Sequence, residues 1–140
     1  AKLINRCYTL DEYDKTMNNL KRLDVHVVVH MIIGLPGETK QDMISTVRYI
    51  ADSGANGIKL QLLHVLKNTV LEKMYINGEF DVLTFEEYAD ILCDCLMELP
   101  PDMVVHRFTG DGPKKILVAP MWSADKKMVL NRLNRIVSDL

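Results

Sequence analysis

Four Thr-x-x-acid steps divide this chain and fix where its helices begin: Thr9 to Glu12, Thr39 to Asp42, Thr69 to Glu72 and Thr84 to Glu87. In each, the threonine hydroxyl can accept from a helical N–H that lacks an intrahelical partner. The acid reaches back to the threonine amide and also favours the positive helix end. Ser123 marks a fifth start. Apolar residues recur at helical spacing behind every signal but Thr69, which opens a short helix. The sets are Leu10, Tyr13, Met17 and Leu20; Met43, Val47, Ile50 and Ala51; Tyr88, Ile91, Leu92, Cys95 and Leu99; and Val129, Leu133, Ile136, Val137 and Leu140. Gly54, Asn77-Gly78 and Pro100-Pro101 supply the stops. Between the helices lie three β-rich runs, Val25–Ile33, Ile58–Val65 and Met103–Phe108. Strands joined through helices require right-handed crossovers, so the expected sheet is parallel.

The faces of the runs narrow the fold. Val25, Val27, Val29, Met31 and Ile33 make one apolar face, opposite His26, Val28, His30 and Ile32. In the second run Ile58, Leu60 and Leu62 oppose Lys59 and Gln61. A central strand of a doubly wound sheet is covered on both sides and reads as apolar on both. One apolar and one mixed face suits a barrel wall, with helices outside and a polar lumen. His106 and Arg107 point to opposite faces if the third run is a regular strand. The expected fold is α/β: a partial TIM-type (β/α) barrel of about three parallel strands, over a single domain spanning 1–140.

Charge and cysteine usage bound the function. The net charge is −2, which gives nucleic-acid binding no support. No stretch approaches the length of a membrane span, and no signal peptide is visible. Three cysteines, Cys7, Cys93 and Cys95, without CxxC spacing argue against a disulfide framework or a zinc ribbon, and reduced thiols fit a cytoplasmic protein. Two apart on a helix, Cys93 and Cys95 point in different directions and form no local chelate; Cys95 reads as core. His26 and His30 share a strand face but stand about 13 Å apart, too far for one ion. His30, His64 and His106 read as lumen polar residues. The chain opens on Ala1 and runs at once into Lys2-Leu3-Ile4-Asn5-Arg6, as expected of a start in mid-protein.

The sharpest local signal is His30-Met31-Ile32-Ile33-Gly34-Leu35-Pro36-Gly37-Glu38-Thr39. An apolar strand ends in a glycine-rich turn and a capped helix follows. Gly34 and Gly37 remove side chains where a ligand approaches the C-terminal end of a parallel strand. A tight βα turn that needs glycine only for geometry explains the same residues.

This strand-GLPGET-helix unit resembles the adenine-side strand and loop of radical S-adenosylmethionine (radical SAM) enzymes of the oxygen-independent coproporphyrinogen oxidase and Elongator type. Leu62-Leu63-His64-Val65-Leu66-Lys67-Asn68-Thr69, Glu86-Glu87-Tyr88, His106-Arg107-Phe108-Thr109-Gly110-Asp111 and Leu117-Val118-Ala119-Pro120-Met121-Trp122-Ser123 resemble one bacterial group. Its members are labelled radical SAM proteins or Fe–S oxidoreductases of unknown substrate. The resemblance runs over nearly the whole chain, in order.

The resemblance implies a six-stranded (β/α) barrel in the intact enzyme, of which this chain would be the C-terminal half. It also implies a [4Fe–4S] cluster on three cysteines of a first βα loop that this sequence lacks. S-adenosylmethionine (SAM) cleaved at that cluster would yield a radical that abstracts hydrogen from substrate. By itself this chain is then expected to be inactive and to hold no cofactor. Carried over to matching positions, Ile32, Gly34, Leu62, Leu63 and His64 would lie at the adenosyl group. His30, Lys59, Gln61, His106, Arg107, Thr109 and Asp111 are candidates for substrate contact. Arg107 can grip a carboxylate or phosphate with two parallel bonds, and His106 can transfer a proton. A structural network in which Asp111 holds Arg107 is the equal alternative. The expected partners are the cluster-bearing N-terminal half and, through the exposed edge of Val25–Ile33, a second copy of the chain. The competing reading is a free-standing α/β domain that binds a small ligand or acts as a scaffold, without metal.

Overall fold

The protein is described from a computed structural model that covers residues 10–108 and 114–140. In chain order its elements are α1 (Leu10–Arg22), β1 (Val28–Ile33), α2 (Lys40–Asp52), β2 (Gly57–Leu62), β3 (Val65–Leu66), α3 (Val70–Ile76), α4 (Phe85–Met97), β4 (Val104–Arg107), β5 (Leu117–Ala119) and α5 (Lys126–Ser138). Short 3₁₀ turns flank β5, at Lys114–Ile116 and Met121–Ala124.

The capping signals position most of the helices. At α2 the Thr39 hydroxyl accepts from the Asp42 amide at 3.1 Å, and the Asp42 carboxylate accepts from the Thr39 amide at 2.8 Å. Thr84 and Glu87 repeat this reciprocal pair at α4, at 3.1 and 3.0 Å. At α3 only half of it forms: Thr69 accepts from the Glu72 amide, whereas the Glu72 carboxylate takes the amide of Asn68 instead. The fifth helix starts two residues later than a cap at Ser123 predicts. Ser123 spends its hydroxyl on the carbonyl of Pro120 inside the 3₁₀ turn, and Asp125 caps α5 by accepting from the Met128 amide. Thr9 lies outside the described residues.

β1, β2 and β4 form a parallel three-stranded sheet in the order β1-β2-β4, as expected. Val28–Ile33 pairs with Gly57–Leu62 residue for residue. Asn56 ties the lower ends together. Its side-chain oxygen accepts from the Val27 amide at 2.7 Å, its own amide donates to the Val27 carbonyl, and its carbonyl accepts from Val104. The second β-rich run is not one strand, however. After Leu62 the chain leaves the sheet, and Val65-Leu66 pairs antiparallel with Leu117–Ala119 in a separate ribbon.

One side of the main sheet carries the core. Met31, Ile33, Ile58, Leu60 and Leu62 pack against Met43, Val47 and Ile50 of α2 and Phe85, Tyr88, Leu92 and Cys95 of α4, all buried. Val129 and Leu133 of α5 complete this layer. Lys40 bridges Asp90 and Asp94, and Arg48 forks onto Glu98 with two 2.9 Å bonds, which fixes α2 against α4. These pairs are solvent-exposed and orient the helices more than they stabilise them.

Candidate functional site: the open face of the sheet

The side of the sheet away from the helices carries the residues that the strand patterns assign to a lumen. Val28, His30 and Ile32 of β1 and Lys59 and Gln61 of β2 are exposed or half-buried, while on the other side Met31, Ile33, Ile58, Leu60 and Leu62 are buried and Val29 is half-buried. His30 is the register partner of Lys59, and Ile32 of Gln61.

On β4 the alternation breaks. Gly57 faces Val104 and Ile58 faces Val105, but Lys59 faces Arg107, so His106 has no partner. Such an extra residue is a β-bulge, and it turns the strand after it. Arg107 is therefore in register with the open-face residue Lys59. His106 also lies on that face. Ile58 is fully buried, so a side chain at Gly57 would project to the open side, and the His106 ring occupies that space. A Cβ at Gly57 would sit 2.7 Å from His106 Cδ2 and 2.9 Å from the Val104 carbonyl oxygen. His106 and Arg107 thus share one face, where a regular strand would have separated them. The result is a row across three strands, His30, Lys59 and Arg107, with adjacent members about 5 Å apart along the hydrogen-bonding direction.

The histidines do not gather at one end. The His106 ring meets His26, with centroids 6.1 Å apart and edge to face, beside Gly57 at the start of β2. His64 follows the opposite end of that strand. Thr109 and Asp111 lie outside the described residues, and so does any Asp111 contact with Arg107.

At the C-terminal ends of β1 and β2, Ile33, Gly34, Leu62, Leu63 and His64 come together. The Leu63 amide donates to the Ile33 carbonyl at 2.9 Å. Gly34 has φ +102°, a conformation that side chains rarely adopt, and a Cβ there would meet Leu83 at 3.2 Å and Leu63 at 3.7 Å. Its glycine identity is accounted for by the turn itself. Among the candidate adenosyl-side residues, Leu62 is buried in the helix-side core, which leaves its backbone as the part nearest the strand end. Ile32 and His64 are half-buried.

Two anchors set the rim around these ends. The Tyr88 hydroxyl donates to the Phe108 carbonyl at 2.7 Å and holds the chain directly after Arg107. The Trp122 indole donates to the Leu83 carbonyl at 2.9 Å and holds the segment that covers Gly34. Sequence periodicity places Tyr88 in the core but gives no sign of its hydroxyl's role, and Leu83, in a loop, carries no periodic signal at all. Beyond this rim an open cleft of about 560 Å³ runs between Tyr75, Phe85, Met121, Trp122 and Arg132, with the Arg132 guanidinium 4.1 Å over the Phe85 ring.

Among the described residues, no group of three or more His, Cys, Asp or Glu side chains is placed to hold a metal. Cys95 is fully buried, and that burial first, then Asp94 and Glu98, pushes its thiol up to about 11. Burial and the neighbouring Asp90 and Asp94 push Cys93 up as well. A cluster ligand must be a thiolate, which both surroundings disfavour. The described cysteines therefore do not fit iron–sulfur ligation. No helix among the described residues is long and apolar enough to cross a membrane.

Comparison with known proteins gives this geometry a context. The family described as Radical_SAM C-terminal domain matches residues 55–138. The chain is 41% identical over 135 residues to the uncharacterized protein YtqA of Bacillus subtilis, covering 96% of the chain and 42% of that protein. It is 26% identical to protein YhcC of Escherichia coli, covering 97% of the chain and 44% of that protein. The chain thus spans less than half the length of these relatives. The fold also superimposes on the archaeal Elp3 of Methanocaldococcus infernus with a TM-score of 0.76 at 21% identity, over 96% of the chain and 32% of that structure.

Proposed function

The chain belongs to the Radical_SAM C-terminal domain family, and from that membership we propose that it forms the adenosyl- and substrate-bearing wall of a radical SAM enzyme. The observation that carries this reading is the row His30, Lys59 and Arg107 across the open face, just below the joined ends of β1 and β2. An open polar face under the C-terminal strand ends is where parallel barrels bind ligands.

In the intact enzyme, SAM bound at an iron–sulfur cluster would supply a radical able to abstract hydrogen from carbon, and the cluster would be held by cysteines outside the described residues. The residues here bind and orient. The half-buried Ile32 gives a flat purine an apolar rest and the buried Leu63 offers only its backbone, while the backbone around Gly34 and the His64 side chain face its polar edge. Lys59 and Arg107 attract a carboxylate or phosphate on the substrate. Arg107 fixes its orientation through two parallel bonds and Lys59 acts as a point charge. His30 and Gln61 complete the polar surface beside Lys59.

A chimera tests the proposal. This chain replaces the matching segment of the Bacillus subtilis relative, and the product is reconstituted anaerobically and reduced in the presence of SAM. The unaltered relative and the chimera are both expected to release 5′-deoxyadenosine under the same conditions. A chimera that folds and loads its cluster, yet releases none while the relative does, contradicts the assignment.

A further inference from the structure

The pairing of β4 with β2 ends on the rung that joins Lys59 to Arg107, directly beyond the bulge at His106. Such a strand end opens easily, because the extra residue disrupts the ladder and no further rung follows among the described residues. The sequence excludes the unbulged alternative. With one residue opposite one, His106 would face Lys59, Arg107 would face the fully buried Leu60, and Phe108 would face Gln61. That register drives a guanidinium into the apolar layer, which costs heavily, and turns Phe108 out onto the open face. In the bulged register Arg107 is exposed and Phe108 is half-buried against the core. The choice therefore lies between a closed bulge, with Arg107 beside Lys59, and a frayed strand end without that rung.

We propose that Tyr88 is the positioning residue for Arg107: its hydroxyl closes the bulged end of β4 and so keeps the guanidinium next to Lys59. Tyr88 is fully buried on α4 and packs beside the Trp122 ring. From there its hydroxyl reaches the Phe108 carbonyl at 2.7 Å. The Phe108 ring secures only a side chain, whereas this bond secures the backbone one residue past the last rung. A hydroxyl buried so deeply needs an acceptor, and opening the strand end would take that acceptor away. The proposal rests on the reading of Lys59 and Arg107 as the grip on an anionic group of the substrate. It adds that the grip is set from the helix side of the sheet, by a residue that touches no ligand.

Tyr88→Phe tests it in the isotope-labelled 140-residue chain, with two readouts. One is the nuclear Overhauser contact between the Lys59 and Arg107 backbones. The other is a titration with inorganic phosphate, followed at the Arg107 Nε–Hε signal. Ile50→Val, a small core change on α2 with a comparable cost in stability, is the control. Tyr88→Phe is expected to weaken the Lys59–Arg107 contact and to lower phosphate affinity about five- to tenfold, as loss of one hydrogen bond does. Ile50→Val is expected to leave both unchanged. A Tyr88→Phe chain that keeps the contact at full strength overturns the proposal. So does an Ile50→Val chain that loses it equally, because the effect would then be general loosening. If the unaltered chain shifts with no phosphate while Tyr88→Phe still loses the contact, the positioning role stands and the anion grip falls.

Discussion

Tyr88→Ala is expected to lower stability by about 3–5 kcal/mol, the range for removing a large buried aromatic side chain. Tyr88 is fully buried and packs beside Trp122, with ring centroids 5.9 Å apart. Its loss opens a cavity where α4 meets the sheet and releases the Phe108 carbonyl. Tyr88→Phe separates the two contributions. It keeps the packing and removes only the hydroxyl, so a loss of about 1 kcal/mol is expected. Urea unfolding measures both. A phenylalanine variant as damaged as the alanine variant would mean that the bond to Phe108, not the packing, holds this part of the fold.

Gly57→Ala is expected to cost about 1–3 kcal/mol, as overpacking does. The new methyl would lie 2.7 and 2.8 Å from the His106 ring and 2.9 Å from the Val104 carbonyl oxygen. The ring can rotate away, whereas the carbonyl belongs to the β4 backbone and moves only with the strand. A double-mutant cycle with His106→Ala distinguishes these obstacles. If the ring is the main one, His106→Ala restores most of the loss. If the carbonyl is, the two changes add and the β2–β4 pairing loosens, seen as faster exchange of amides in Ile58–Leu62. Unchanged stability in Gly57→Ala would contradict the placement of His106 across β2.

The sequence carried the helices and the sheet unevenly. The alternation of strands with capped helices was legible because each cap rests on two residues three apart, and Thr39 with Asp42 and Thr84 with Glu87 pair as read. Thr69 shows the limit: the Glu72 carboxylate had two amides within reach and took that of Asn68. Ser123 was misleading because a hydroxyl can serve a nearby carbonyl as well as a helix start. The two faces of β1 and β2 were legible because a period of two survives burial on one side only. The split of the second run at Leu63-His64 was not, since Val65-Leu66 continues the same apolar composition into a different sheet. Its partner Leu117–Ala119 is too short for any period to show. Within the candidate site, Lys59, Gln61 and His30 were placed on the open face by alternation alone. Arg107 and His106 joined them through a bulge that nothing in residues 103–108 announces. The nearest sign is a glycine on the opposite strand, Gly57, whose missing side chain makes room for the ring. The adenosyl-side residues came from the family resemblance, and physical reading adds that Leu62 turns inward and that Gly34 is already required by its own turn.

In the proposed function the strand ends and the open face are the surface that meets SAM. Titrating SAM into the isotope-labelled chain, followed by amide chemical shifts, addresses this without any cluster. Shifts are expected to gather at Ile32 to Gly34 and at Leu63 and His64, and to leave the outer sides of α2 and α4 unmoved. Shifts confined to those helices, or to the cleft between Phe85 and Arg132, would contradict it.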